Sequence, residues 1–181
     1  MSLSRPVALI GLPGAGKTRV GRLLAERLGC RFSDSDAEVE RQAGMKISAI
    51  FAREGESRFR ILEREAVARL LRAGPQIIAL GGGAVEDKST RDALLAQALT
   101  VWLDVPHHVL LKRLARDRGR PLLQAGDRDE RLRELSARRL PLYTQAHLRI
   151  TAATSSEMAD KVAAAIVQSS IAGTSGLPPE D

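Results

Sequence analysis

The apolar positions of this chain fall in short runs separated by longer amphipathic stretches. "PVALI" (6–10), "IIAL" (77–80) and "TVWLD" (100–104) are continuous apolar runs bounded by Gly, Pro or a change of period, and they predict buried strands. "CRF" (30–32) and "LRIT" (148–151) are weaker strand candidates. Helix-period segments lie between them at about 17–28, 36–43, 47–53, 56–72, 88–97, 106–117, 127–140 and 155–170. Strand and helix in alternation predict an α/β fold of three layers. A five-stranded parallel sheet has right-handed crossovers, with helices on both faces. No internal repeat or linker interrupts the pattern, so residues 1–172 are expected to form one domain. The Gly/Pro/Ser-rich stretch 173–181 reads as a disordered tail.

Composition narrows the function classes. The 181 residues suit one domain with a sizeable core, and the apolar runs are too short to span a bilayer. The N-terminal apolar stretch runs straight into glycines without a cleavage-site pattern, so no signal peptide is expected. The single cysteine, Cys30, excludes an internal disulfide and a multi-cysteine zinc site, and reads as a small buried apolar residue. A reducing cytoplasm fits these features. The formal net charge of +6 suggests anionic partners. Aromatic residues make up only 3%, which provides no stacking platform for single-stranded nucleic acid. The densest basic window, 112–139, fits a small polyanionic ligand as well as it would fit DNA.

Parallel sheets of this kind bind ligands at the carboxyl ends of their strands. The first strand runs into Gly11-Leu-Pro-Gly14-Ala15-Gly16-Lys17-Thr18, which fits G-x-x-x-x-G-K-[ST] and is followed by a good helix. Such a loop points backbone amides at a β-phosphate; its lysine reaches the β/γ oxygens and its threonine ligates Mg²⁺. A bare strand–helix turn would not explain Lys17, whose charge opposes the helix dipole unless an anion intervenes.

Asp34 and Asp36 form a D-x-D after the second strand. In extended chain both would face the phosphate site, while Ser35-x-x-Glu38 would cap the next helix. Gly81-Gly82-Gly83 after the third strand lets backbone approach a ligand closely. Glycines stand where an aspartate would follow that strand in many nucleotide-binding folds, which leaves Asp34 as the nearest metal-side carboxylate. "RDRGRPLLQAGDR" (116–128) reads as a lid that brings Arg120 to the transferred phosphoryl group. Asp127, with Glu130 three residues on, opens a helix with an apolar stripe at Leu132 and Leu135. Arg139 continues that stripe and Arg138 does not. A cation on a buried stripe needs an anion, so Arg139 is the expected ligand contact of the pair. His107, His108 and His147 have no metal-ligand spacing and read as surface or helix-start residues.

Together, "GLPGAGKT", "FSDSD", "EGESRFR", "LGGGAV", "RPLL" and "RRLPLY" resemble the shikimate kinases, in that order and at that spacing, over roughly residues 5–170. The resemblance implies a P-loop fold of the nucleoside-monophosphate-kinase type, with a substrate-binding region at about 34–62 and a lid at about 114–127. It implies ATP-dependent phosphorylation of the 3-hydroxyl of shikimate, with ATP and Mg²⁺ as ligands. By matched position, Asp36 would hold the ring hydroxyls and assist deprotonation. Asp34 would support Mg²⁺ alongside Thr18. Arg60 and Arg139, helped by backbone at Gly82 and Gly83, would clamp the shikimate carboxylate. Arg120 would sit at the phosphates and Arg113 would stack on adenine, while Gly14, Ala15, Gly16 and Lys17 cradle the phosphates. A monomeric, cytoplasmic habit follows from the same resemblance. One departure is the loop after the last strand, "TAATSS" (151–156), which lacks the basic residue that some members carry near adenine. Two rival readings are a gluconate-type kinase of the same fold and a catalytically silent ligand-sensing domain. A neutral or differently charged acceptor would not require both Arg60 and Arg139. A transcriptional sensor would carry an additional helix-turn-helix segment, for which the start of the first strand leaves no room.

Overall fold

The computed structural model describes residues 3–115 and 127–172. Its strands are β1 (Val7–Ile10), β2 (Phe32–Asp34), β3 (Ile77–Ala79), β4 (Leu99–Asp104) and β5 (Leu148–Thr151). They form one parallel sheet in the order β2-β3-β1-β4-β5. The helices are α1 (Lys17–Leu28), α2 (Ser35–Ala43), α3 (Ile47–Arg72), α4 (Lys88–Gln97), α5 (His107–Leu114), α6 (Arg128–Tyr143) and α7 (Ser155–Ala172), with a 3-10 turn at Ala84–Glu86. The central strands are apolar at almost every position because both faces are covered, and Leu9, Ile77, Ile78 and Leu103 are fully buried. The edge strand β5 instead alternates between half-buried and exposed positions.

The second strand starts later than its apolar run suggested, at Phe32 rather than Cys30, and Cys30 is only half-buried. Helix α6 runs past residue 140 to Tyr143 and includes Pro141. The two predicted segments 47–53 and 56–72 join into α3, with a kink at Gly55 (φ 79°, ψ 175°).

Register decides what lies beside what. Leu9 pairs with Ala79, and Ala79 pairs with Asp34. Two residues beyond each, the chain reaches Gly11, Gly81 and Asp36. The glycine loop, the glycine triplet and the D-x-D therefore end up side by side at one edge of the sheet. Beyond that edge, α2 and α3 pack through their own small apolar cluster of Val39, Ile50, Phe59, Leu62 and Ala66. Phe51 lies against Phe59, with ring centroids 4.8 Å apart. This cluster holds the α2–α3 pair over the strand ends and forms the far wall of a cleft. No helix among the described residues is long and apolar enough to cross a membrane.

Candidate active site

The loop between β1 and α1 has the geometry of an anion cradle. Gly14 (φ 83°) and Gly16 (φ 89°) are left-handed, a conformation that side chains rarely adopt. Gly16 is the N-cap of α1 and makes no side-chain cap to the first amides of the helix, whose positive end faces the loop. Lys17 is buried, and its Nζ donates to Gly11 O at 2.8 Å and Leu12 O at 3.2 Å. Carbonyls of its own loop thus meet the ammonium, so its place at the positive end of the helix does not by itself demand an external anion. Arg113, at the end of α5, donates Nη1 to Gly14 O at 3.1 Å and lies near Gly16, as does Ser155 at the start of α7.

Thr18 donates Oγ1 to Asp34 Oδ2 at 2.7 Å. A hydroxyl and a carboxylate in contact beside a phosphate cradle are hard oxygen donors, the chemistry that suits Mg²⁺ with phosphate and water completing its shell. The described residues contain no cluster of three or more His, Cys, Asp or Glu side chains able to hold a metal. His107 lies at a helix start, as expected, and pairs with Asp129 at 2.6 Å. His147 is exposed, as expected, and exchanges hydrogen bonds with Thr100 just before β5.

The D-x-D differs locally from the sequence expectation. Asp34, not Ser35, caps α2, with Oδ1 accepting from the amides of Asp36 and Ala37. The hydroxyl of Ser35 instead accepts from Gly81 N–H at 2.8 Å and so ties the start of α2 to the glycine triplet. Glu38, the supposed partner of a capping box, bonds Arg41 and Gln42. Asp36 is on the first turn of the helix rather than in extended chain. Both aspartates nevertheless line one cleft of about 520 Å³, because the strand ends and the helix begins between them.

Gly81 shows how tightly that cleft is built. A Cβ there would stand 2.6 Å from Asp36 Oδ1 and 2.6 Å from Glu63 Oε1, so two carboxylates flank one glycine. Glu63 is buried and accepts from Arg60 Nη1 at 2.7 Å. Burial pushes the Glu63 carboxyl above its ordinary range, Arg60 offsets part of that, and the charge of Asp36 adds to the rise. Glu63 was not singled out from sequence. The signal existed: it lies on the buried stripe of α3 with Phe59, Leu62 and Ala66, as Arg139 lies on the stripe of α6.

The two arginines converge on the next glycines. A Cβ at Gly83 would lie 2.7 Å from Arg60 Nη1 and 3.2 Å from Arg139 Nη2, and one at Gly82 would lie 3.1 Å from Arg139 Nη1. Arg139 is only 2% exposed, whereas the Arg138 side chain is 61% exposed, as the stripe argument required. The counter-anion demanded by that burial is partly internal, since Arg139 Nε donates to Glu86 Oε1 at 2.6 Å. Neither Glu86 nor Tyr143, whose hydroxyl donates to Gly82 O at 2.8 Å, carried a sequence signal of this role. Both act through contacts between α6 and the turn after β3. Arg120 and nearly all of the expected lid at 114–127 lie outside the described residues.

A glycine cradle with its lysine, a hydroxyl–carboxylate pair, and a separate cleft holding an aspartate and two arginines define a P-loop kinase for a small acidic acceptor. Solved gluconokinase from Sinorhizobium meliloti shares the fold (TM-score 0.59, 16% identity, covering 93% of this chain and 94% of that one). The shikimate kinase family model matches residues 13–170. Shikimate kinase from Thermobifida fusca is 48% identical over 166 residues, which cover 91% of this chain and 95% of that protein. Shikimate kinase from Symbiobacterium thermophilum is 50% identical over 148 residues, 80% and 84% of the two chains. A solved shikimate kinase from Acinetobacter baumannii in complex with shikimate superposes with a TM-score of 0.87 at 39% identity, covering 91% of this chain and 94% of that one. This chain belongs to the shikimate kinase family and is an enzyme that uses ATP.

Proposed function

We propose that this enzyme transfers the γ-phosphoryl group of ATP to the 3-hydroxyl of shikimate, giving shikimate 3-phosphate and ADP. The observation that carries the reading is the convergence of Arg60 and Arg139 on Gly83, in the same cleft as Asp36. Guanidinium forks match a carboxylate bidentately, and a nearby carboxylate suits the hydroxyls of a polyol.

In this reading Arg60, Arg139 and the backbone of Gly82 and Gly83 hold the acid's carboxylate. Asp36 holds the ring hydroxyls and accepts the proton of the attacking one. That oxygen forms its bond to the γ-phosphorus as the bond from phosphorus to the β-bridging oxygen breaks, and ADP leaves. Gly14, Ala15, Gly16 and Lys17 grip the phosphates, with Lys17 and Arg120 countering the charge that builds on them. Arg113 stacks on adenine. Thr18 and Asp34 are the residues that would hold Mg²⁺, and the ion would supply charge neutralisation at the β- and γ-phosphate oxygens. The domain at 1–172, with its substrate region at 34–62 and lid at 114–127, and a monomeric, cytoplasmic enzyme belong to the same proposal.

The experiment is a coupled ADP-release assay with ATP and Mg²⁺ against a panel of hydroxy acids. Turnover with shikimate far above gluconate and quinate is expected. Turnover with gluconate alone would favour the related kinase of the same fold.

A further inference from the structure

We infer that Glu86 is a positioning residue for the acceptor clamp: its carboxylate holds the Arg139 guanidinium by the rear edge and so aims the Nη atoms at the cleft. The inference rests on the reading of Arg139 as a ligand of the acceptor carboxylate. Arginine presents five N–H donors in one rigid plane, so a bond at Nε fixes where the other four point. With Nε donating to Glu86 Oε1 at 2.6 Å, Nη1 lies against Gly82 and Nη2 against Gly83. The second carboxylate oxygen, Oε2, accepts from Arg138 Nη2. The acceptor therefore meets a fork that is already ordered, and binding does not have to freeze a long side chain.

Glu86 is placed to do this because it belongs to the turn that faces the acceptor. Its own N–H donates to Gly83 O at 2.9 Å, closing the 3-10 turn. Tyr143, one helical turn beyond Arg139, donates to Gly82 O at 2.8 Å. The turn after β3 and helix α6 are thus joined at two points, and the guanidinium fork lies between them. Burial opposes ionisation of Glu86, but the bonds from Arg139 and Arg138 outweigh it and hold its pKa below the ordinary carboxyl value. Glu86 is therefore a charged partner for Arg139 at neutral pH. It bonds Nε, while Nη1 and Nη2 lie against Gly82 and Gly83, so the two carboxylates do not compete for that donor.

The test compares Glu86→Ala, Glu86→Gln, Arg138→Ala and Arg139→Ala in steady-state kinetics, with melting temperatures measured in parallel. Glu86→Ala is expected to raise KM for shikimate about ten-fold and to leave kcat and KM for ATP within about two-fold. Glu86→Gln keeps one acceptor oxygen. The buried Arg139 has more to lose than the exposed Arg138, so the amide oxygen turns to Arg139 and the shikimate KM returns to within about three-fold of wild type. Arg138→Ala is expected to leave that KM unchanged. A raised KM in Arg139→Ala with an unchanged KM in Glu86→Ala overturns the inference and leaves the clamp standing. An unchanged KM in both overturns the reading of Arg139 itself. Equal losses in both substrates' KM values with a fallen melting temperature would make Glu86 merely structural, and that also overturns the inference. Should Glu86→Ala fail to fold, Glu86→Asp, which withdraws the carboxylate by one methylene, replaces it, and a wild-type shikimate KM there overturns the inference.

Discussion

Gly83→Ala isolates the acceptor clamp with a single methyl group. Gly83 has φ −95° and ψ −8°, a right-handed conformation that alanine adopts without strain, so the backbone has no reason to move. The new methyl would stand 2.7 Å from Arg60 Nη1, 3.1 Å from Arg60 Nη2 and 3.2 Å from Arg139 Nη2. Restoring ordinary contact requires Arg60 to retreat by roughly 0.7 Å, and Arg139 by less. Arg60 can retreat, because its side chain is 29% exposed and both of its carboxylate partners, Glu56 and Glu63, lie on its own helix. The fold should therefore survive, while the place of the acceptor carboxylate is partly filled and one fork is misaligned. A hydrogen bond to a charged group contributes about 1.5–3 kcal/mol. Loss of one such arm should raise KM for shikimate by roughly ten- to hundred-fold. The assay is ADP release at saturating ATP across a shikimate titration, with KM for ATP measured separately and the melting temperature recorded. A folded Gly83→Ala enzyme with wild-type KM for shikimate would refute the reasoning, because the acceptor would then be bound elsewhere than between the two guanidinium groups.

Further outcomes are expected elsewhere in the molecule. Asp36→Asn should lower kcat by about a hundred-fold or more with ATP affinity nearly intact, the usual size of general-base loss; wild-type turnover would remove Asp36 from proton transfer. Tyr143→Phe should cost about 1–2 kcal/mol by leaving Gly82 O without its donor, lowering the melting temperature by a few degrees in a calorimetric scan. Because the folded-state pKa of Glu86 is lowered, its contribution to stability is present above the ordinary carboxyl value and is lost as pH falls through the lower folded value. Glu86→Gln should therefore lose less melting temperature than wild type between about pH 5 and pH 3. Parallel pH curves for the two proteins would contradict that linkage.

The cradle for phosphate was legible in the chain because its requirements are local. Left-handed glycines, a helix start and a lysine must be contiguous, so spacing alone exposes them. Arg139 was legible for a related reason: helical period shows which side of α6 is buried, and a cation there calls for a partner. The same reasoning applied to α3 would have exposed Glu63. The five strands and their alternation with helices were likewise determined by sequence, because apolar run length and period report burial directly.

Other features were decided only by the fold. Parallel register sets Gly11, Gly81 and Asp36 side by side, though they are far apart in the chain. Which group caps α2 depended on where β2 ended, and because the strand runs to Asp34 that residue takes the role in place of Ser35. Glu86 lies in a short turn with no periodicity, and its two arginines are on a helix more than fifty residues away. Local chemistry can be read from neighbours in sequence, but a carboxylate that aims a distant guanidinium acts through space, and only packing brings the two together.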